Sequence, residues 1–156
     1  MFHRWPALVL VVVFCAATPK HAAGQQEQKP QHPGAGKLGS SWPNPFNPWV
    51  HTPFTVGGEG CTSGEQHAVS VRILNILAQP VVVPVLEGTS ANSTSSSASS
   101  LNGSSITNLS LACGNYVAFW DGKVNGGAKE AASGMYIVQI LVDGKLSDTK
   151  RIYYRK

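Results

Sequence analysis

Residues 135–154 read MYIVQILVDGKLSDTKRIYY. Two runs rich in β-branched and aromatic residues, Met135–Val142 and Leu146–Tyr154, flank an Asp143-Gly144 pair. Asp-Gly between two such runs is the strongest short-range signal for a β-hairpin, because both central positions of the tight turn need a positive φ. Helix is disfavoured over the same span, which has no apolar repeat near 3.6 residues.

Working outward from this hairpin, the strand pattern continues toward the N-terminus. His67–Asn75 (HAVSVRILN) alternates, with Val69, Val71 and Ile73 on one face and Ser70 and Arg72 on the other. Val50–Val56 and Tyr116–Trp120 are short β-rich runs, and Val81–Leu86 is another whose internal Pro84 predicts an edge or a bulge. The expectation is an all-β chain of about seven strands. One sheet of that size would leave one face wet, and there are too many bulky apolar residues for that. Two sheets packed face to face are therefore expected, an antiparallel β-sandwich.

The first residues have a different character. Met1–Pro6 carries Arg4, Ala7–Ala17 is almost unbroken apolar sequence, and Ala22, Ala23 and Gly24 are small. This is the pattern of a secretory signal peptide over residues 1–24, with cleavage near Gly24. The apolar run falls short of the roughly 20 residues a membrane-spanning helix needs, so no transmembrane segment is expected in the mature chain. The sequence predicts a secreted protein, whether periplasmic, on the outer surface or extracellular. Residues 25–39 are polar, contain Pro30 and Pro33, lack periodicity and read as a flexible linker. Residues 88–110 are serine-rich and read as a loop insertion with at most a weak strand at 105–111. Asn92, Asn102 and Asn108 open N-x-Ser/Thr triplets that matter only in a eukaryotic secretory pathway.

Cleavage removes Cys15 and leaves Cys61 and Cys113. An even pair in an exported chain predicts a disulfide. Counting strands alternately up and down puts both cysteines at the same end, which makes a bridge geometrically reasonable. It would close a loop of about 50 residues, worth on the order of 4 kcal/mol in the chain-entropy model. No histidines cluster in sequence with these cysteines, so no metal site is expected. The stretch 121–127 (DGKVNGG) lacks the further carboxylates of a calcium loop.

The opening of the domain is unusual. SWPNPFNPWV (residues 41–50) places Pro43, Pro45 and Pro48 among large rings. Proline fixes φ and lacks a donor, so helix is ruled out and a rigid extended or turning ribbon is expected. Pro43, Asn44, Pro45, Phe46, Asn47 and Pro48, then Trp120-Asp121-Gly122, then Ser133-Gly134-Met135-Tyr136, then a basic end RIYYRK occur in order. Together they resemble the immunoglobulin-like domain shared by flagellar hook-capping proteins and the C-terminal sorting domains of type IX secretion, over residues 40–156. The resemblance implies an immunoglobulin-like sandwich in which Phe46, with Trp49 as a second candidate, plugs the end of the core and Trp120 anchors its centre. It also implies that Asp121 and Gly122 turn the chain, and that Gly134 admits a close backbone approach ahead of Tyr136.

Neither a nucleophile elbow, nor a phosphate-binding loop, nor a zinc-protease helix motif is present. No lysine or arginine block marks a nucleic-acid face. The expectation is a non-enzyme without cofactor, catalytic residue or small-molecule substrate, acting on a protein partner or read by a secretion apparatus. Edge strands near Val81–Leu86 and at the C-terminal hairpin are expected to be open to strand addition. The alternative is a type IX sorting or anchoring domain for surface export.

Overall fold

The hairpin pairs as its sequence predicts. Strand β8 (Gly134–Val142) lies antiparallel to β9 (Lys145–Tyr154), from Gly134 opposite Tyr154 to Val142 opposite Lys145. Asp143 and Gly144 have φ of 52° and 74°, the positive pair that a tight turn matching the strand twist requires. Along β8, Tyr136, Val138, Ile140 and Val142 are buried at alternate positions, so the period of two selects a single inward face.

The computed structural model describes residues 36–58, 61–62, 64–89, 99–125 and 127–156. The other described strands are β1 (Lys37–Leu38), β2 (Val50–Val56), β3 (Gln66–Leu74), β4 (Pro80–Val82), β5 (Val85–Thr89), β6 (Leu109–Ala112) and β7 (Gly114–Trp120), with one short 3-10 turn at Ser99–Leu101. They form two antiparallel sheets. One runs β1-β2-β7-β5; the other runs β4-β3-β8-β9, with β6 beside β3. Both sheets feed one core, in which Phe54 and Tyr116 of the first meet the cluster that holds Val71, Ile140 and Ile152 of the second. The protein is all-β among its described residues.

Three features differ from the sequence expectation. Val81–Leu86 is not a single strand, since Val82 pairs with Ile73 in one sheet while Leu86 pairs with Ala118 in the other. Pro84, between them, has no N–H to extend a ladder, and the chain changes sheets there. Residues 36–39, at the end of the stretch read as a linker, belong to the fold. Leu38 is buried, and its N–H donates to Asp148 Oδ2 at 2.9 Å. The serine-rich stretch also has a packing face. Ile106 is fully buried, its N–H donates to the Pro84 carbonyl at 3.0 Å, and its carbonyl accepts the Val71 N–H at 2.9 Å.

Of the two edges expected to be open, the one near Val81–Leu86 is engaged by the chain itself, and the C-terminal hairpin is engaged at its Tyr153–Arg155 end. Gly103 and Ser104 hydrogen-bond Leu86 at 2.7 and 2.8 Å, and the Asn125 N–H donates to the Val81 carbonyl at 3.0 Å. The signal-peptide reading of residues 1–24, residues 25–35 of the linker, and Asn92 lie outside the described residues. Asn102 and Asn108 are used locally, Asn102 Oδ1 accepting the Gly88 N–H at 2.8 Å and Asn108 Oδ1 the Ser70 hydroxyl at 3.2 Å.

Leu38→Ala and Ile106→Ala, at positions read as linker and loop, are each expected to cost about 2–5 kcal/mol, the range for emptying a core site. Denaturant unfolding of the full chain measures this. A change near zero at either position would mean that the residue does not belong to the core.

Candidate functional site

The four sequence motifs converge at one end of the molecule. The proline ribbon runs alongside the end of β9. Asn44 Oδ1 accepts the Tyr153 N–H at 3.0 Å, the Phe46 N–H donates to the Tyr153 carbonyl at 2.8 Å, and the Arg155 N–H donates to the Phe46 carbonyl at 3.0 Å. Pro43, Pro45, Asn47 and Pro48 stay exposed, and the prolines bring no donors that need partners. Phe46 alone turns inward. It is 1% exposed, with ring centroids 4.8 Å from Tyr154 and 5.2 Å from Trp120.

Trp120 is buried, donates Nε1–H to the Lys123 carbonyl at 2.8 Å, and meets Tyr136 edge-on at 5.2 Å. Asp121 Oδ1 accepts the Lys123 N–H at 3.0 Å, which closes the turn. Gly122 has φ 77°, and a Cβ there would collide with the Pro48 carbonyl oxygen, so only glycine fits. Ser133 Oγ accepts the Lys156 N–H at 3.0 Å, and Tyr136 donates its hydroxyl to the Ala132 carbonyl at 2.7 Å. Burial raises the Tyr136 hydroxyl above its ordinary pKa, and does the same for Tyr116, whose hydroxyl reaches the Ala112 carbonyl at 2.7 Å.

Two expectations are corrected here. Trp49 does not plug the core; it is 43% exposed, because its register beside buried Val50 turns it to the outer face. At Gly134 nothing stands within 4 Å of where a Cβ would be, so no backbone approaches closely. Its φ of 155° is the feature that suits glycine.

Trp49 instead joins an outward aromatic group that sequence reasoning did not assemble. Trp42, 47% exposed, stacks on His51 at 5.4 Å; Trp49 meets the His51 ring edge-on at 5.2 Å, and Phe119 lies tilted against that same His51 ring at 5.3 Å. His51 Nε2 pairs with Glu87 Oε2 at 2.5 Å. The group is built by register. His51 lies opposite Phe119 across β2 and β7, and an isolated bridge sets Trp42 opposite His51. Odd-numbered β2 residues face out where Val50, Thr52 and Phe54 face in.

The opposite end of the sheets carries polar chemistry. Cys61 and Cys113 are joined, with Cα atoms 6.2 Å apart. Glu65 and His67 stand beside them, and one ligand atom from each of the four residues lies within 4.8 Å of the others. His67 Nδ1 donates to Asp143 Oδ2 at 2.8 Å, and Asp143 Oδ1 accepts the Ala68 N–H at 3.0 Å. These bonds, the one from His67 first, hold the Asp143 carboxyl below its ordinary pKa. Spacing in sequence conceals the group, since Asp143 comes from the β8–β9 turn and Cys113 from the β6–β7 junction.

No protein-family model and no curated protein matches the chain. Among solved structures it is similar to the Pseudomonas fluorescens alkylpurine DNA glycosylase AlkC bound to DNA containing an abasic site analog, at 14% identity and a TM-score of 0.42. The match covers 79% of this chain and 31% of that one. A likeness of that degree carries no argument about this chain's activity.

Phe46→Ala is expected to cost about 3–5 kcal/mol as a core deletion, and Trp49→Ala within about 0.5 kcal/mol as a surface change. Equal losses in thermal unfolding would overturn the placement of the two rings. Tyr136 has a folded-state pKa raised by burial, so its contribution is complete below its unfolded value near 10 and is lost as pH climbs through the higher folded value. Tyr136→Phe should therefore lower stability at neutral pH by about 1 kcal/mol and flatten the decline above pH ~10, read from melting midpoints across an alkaline series.

Proposed function

We propose that this chain is an exported, non-enzymatic immunoglobulin-like β-sandwich module that acts by contact with a protein partner in the bacterial cell envelope or an extracellular assembly. The observation that carries the reading is the outward aromatic group, in which Trp42 and Trp49 leave nearly half their surface to solvent around a shared histidine. Tryptophan is the residue type most enriched among interface residues that dominate binding, because a rigid ring supplies large contact area at small entropic cost. Glu87, beside the rings, offers a charged rim that fixes orientation. The order of the motifs and their convergence on one aromatic plug support the immunoglobulin-like reading.

With the edges near Leu86, Val81 and Tyr153 already hydrogen-bonded, contact through side chains is favoured over strand addition. A second apolar feature, Ile76 and Leu77 on the β3–β4 turn, is 67% and 72% exposed and extends the surface open to a partner. Among the described residues no helix is long and apolar enough to cross a membrane.

The alternative is an export address read by a type IX apparatus, favoured by the motif order and by the exposed Arg155-Lys156 end. Residues 36–156 fused behind a reporter that carries its own secretory signal, in a host with that apparatus, separate the two. A contact module leaves the reporter in the periplasm, and display on the surface replaces the first reading with the second. Within the first, a photocrosslinking residue at position 49 should capture one protein in the native host that the same residue at position 150 does not, and Trp42→Ala should abolish the capture. Equal capture at both positions, or capture indifferent to Trp42→Ala, overturns the aromatic face as the contact surface.

A further inference from the structure

The cysteine end contains more than a bridge needs. We propose that Cys61, Cys113, His67 and Glu65 form a zinc site whenever the disulfide is reduced, so that the same loops are held by a covalent bond in one redox state and by Zn2+ in the other. The inference does not depend on the contact-module reading; it rests on the local geometry alone.

Four donor atoms within 4.8 Å of one another approach the spacing of a tetrahedral zinc shell, whose thiolate, imidazole and carboxylate bonds run about 2.0–2.3 Å. Two soft thiolates with one imidazole and one carboxylate suit Zn2+ better than Ca2+ or Mg2+, which take oxygen ligands. Orientation is already set. Asp143, acting only as an acceptor when ionised, claims Nδ1–H of His67 at 2.8 Å, which leaves the Nε2 lone pair facing inward. The carboxylate–histidine pairing is the outer-shell arrangement that fixes ring tautomer and basicity in zinc sites. The inward Nε2 has no strong partner, since Cys61 Sγ stands 3.8 Å away and Glu65 Oε1 3.6 Å, both beyond a good hydrogen bond.

Glu65 is aimed in the same way. Its Oε2 accepts the Thr62 hydroxyl at 3.0 Å and the Thr62 N–H at 3.3 Å, leaving Oε1 on the side of the histidine. The loop is folded to bring these groups together, because the Cys113 N–H donates to the Glu65 carbonyl at 3.3 Å. Gly57, at φ 82°, has no room for a Cβ beside the sulfurs of Cys61 and Cys113.

The conversion balances with a dithiol reductant and Zn2+ as its two reagents. A dithiol reductant delivers two electrons and two protons to the Cys61–Cys113 bond and leaves as its own disulfide. The two thiols then each release a proton to solvent as their sulfurs bond Zn2+, while His67 and Glu65 bind without redox change.

The test uses the full chain, reduced with a dithiol, freed of it anaerobically and titrated with Co2+ and then Zn2+. One Co2+ per chain is expected, with a thiolate charge-transfer band and tetrahedral visible bands that vanish as Zn2+ displaces it; the oxidised chain shows neither. Asp143→Asn should weaken Zn2+ binding about 10–100-fold, and His67→Ala more than that. Absence of the bands in the reduced wild type, or the same affinity in His67→Ala, overturns the site. Should the reduced metal-free chain unfold, circular dichroism follows refolding on Zn2+ addition. Recovery in the wild type but not in His67→Ala supports the site, and recovery in both or in neither overturns it.

Discussion

The described fold is arranged around Phe46 reaching the core at one end of the two sheets. Its ring touches Trp120 from β7 and Tyr154 from β9, and Trp120 in turn meets Tyr136 from β8. Four rings therefore tie the lead-in ribbon, the first sheet and the second into one contact. Each such pair adds roughly 0.5–1.5 kcal/mol beyond the area it buries. The polar tips are handled locally, Trp120 on the Lys123 carbonyl and Tyr136 on the Ala132 carbonyl, so large rings are buried without unpaired donors.

Backbone satisfaction explains why the ribbon is made of prolines and asparagines. A ribbon lying against an edge strand can offer only part of its backbone to that edge, and its remaining donors would need water or side chains. Proline removes the donor altogether. Asn44 then supplies a side-chain acceptor for Tyr153, while Phe46 gives both its N–H and its carbonyl to β9. The same accounting applies at the opposite edges, where residues 103–106 and 125 cover Leu86, Pro84 and Val81. A sheet whose edges are covered in this way is protected against unplanned strand pairing.

The strands were legible because their signal is local. Alternation in Val69-Val71-Ile73 and the Asp143-Gly144 turn each depend on neighbours in sequence, and both sit in the structure where the pattern puts them. Trp49, Leu38 and Ile106 show where that logic stops. Trp49 and Phe46 are both large rings beside prolines, and what separates them is the register of β2, a property of pairing with β7 some 70 residues away. Leu38 is the one large apolar side chain of residues 25–39, and Ile106 stands among serines with only Leu101 and Leu109 as large apolar companions in residues 88–110, too few in either stretch to show a period. Each is buried because another part of the chain provides the cavity. Pro84 was legible as a break in a strand, but that the break is a passage between sheets follows only from what Val81 and Leu86 each find to pair with.

The two ends of the sheets are held by different kinds of force, and this explains how much of the sequence each uses. Val50 and Trp120 are paired at one end of β2 and β7, and Val56 and Gly114 at the other. The first end is closed by apolar burial and needs a particular set of rings from four distant segments. At the second, none of the described loop residues Gly57, Gly58, Cys61, Thr62, Gly64 and Glu65 is buried. Local hydrogen bonds and the cross-link fasten them instead, and the 52-residue separation of Cys61 and Cys113 is long enough for closure to be worth about 4 kcal/mol in the chain-entropy model. A loop fastened by a cross-link and local hydrogen bonds, with no buried side chain among its described residues, tolerates a change in the chemistry of the link, provided that the same side chains stay joined. The aromatic end has no such freedom, since its stability lies in shape. Chemical variability is therefore confined to the cysteine end, where Glu65, His67 and Asp143 surround the sulfurs with groups that the core does not require.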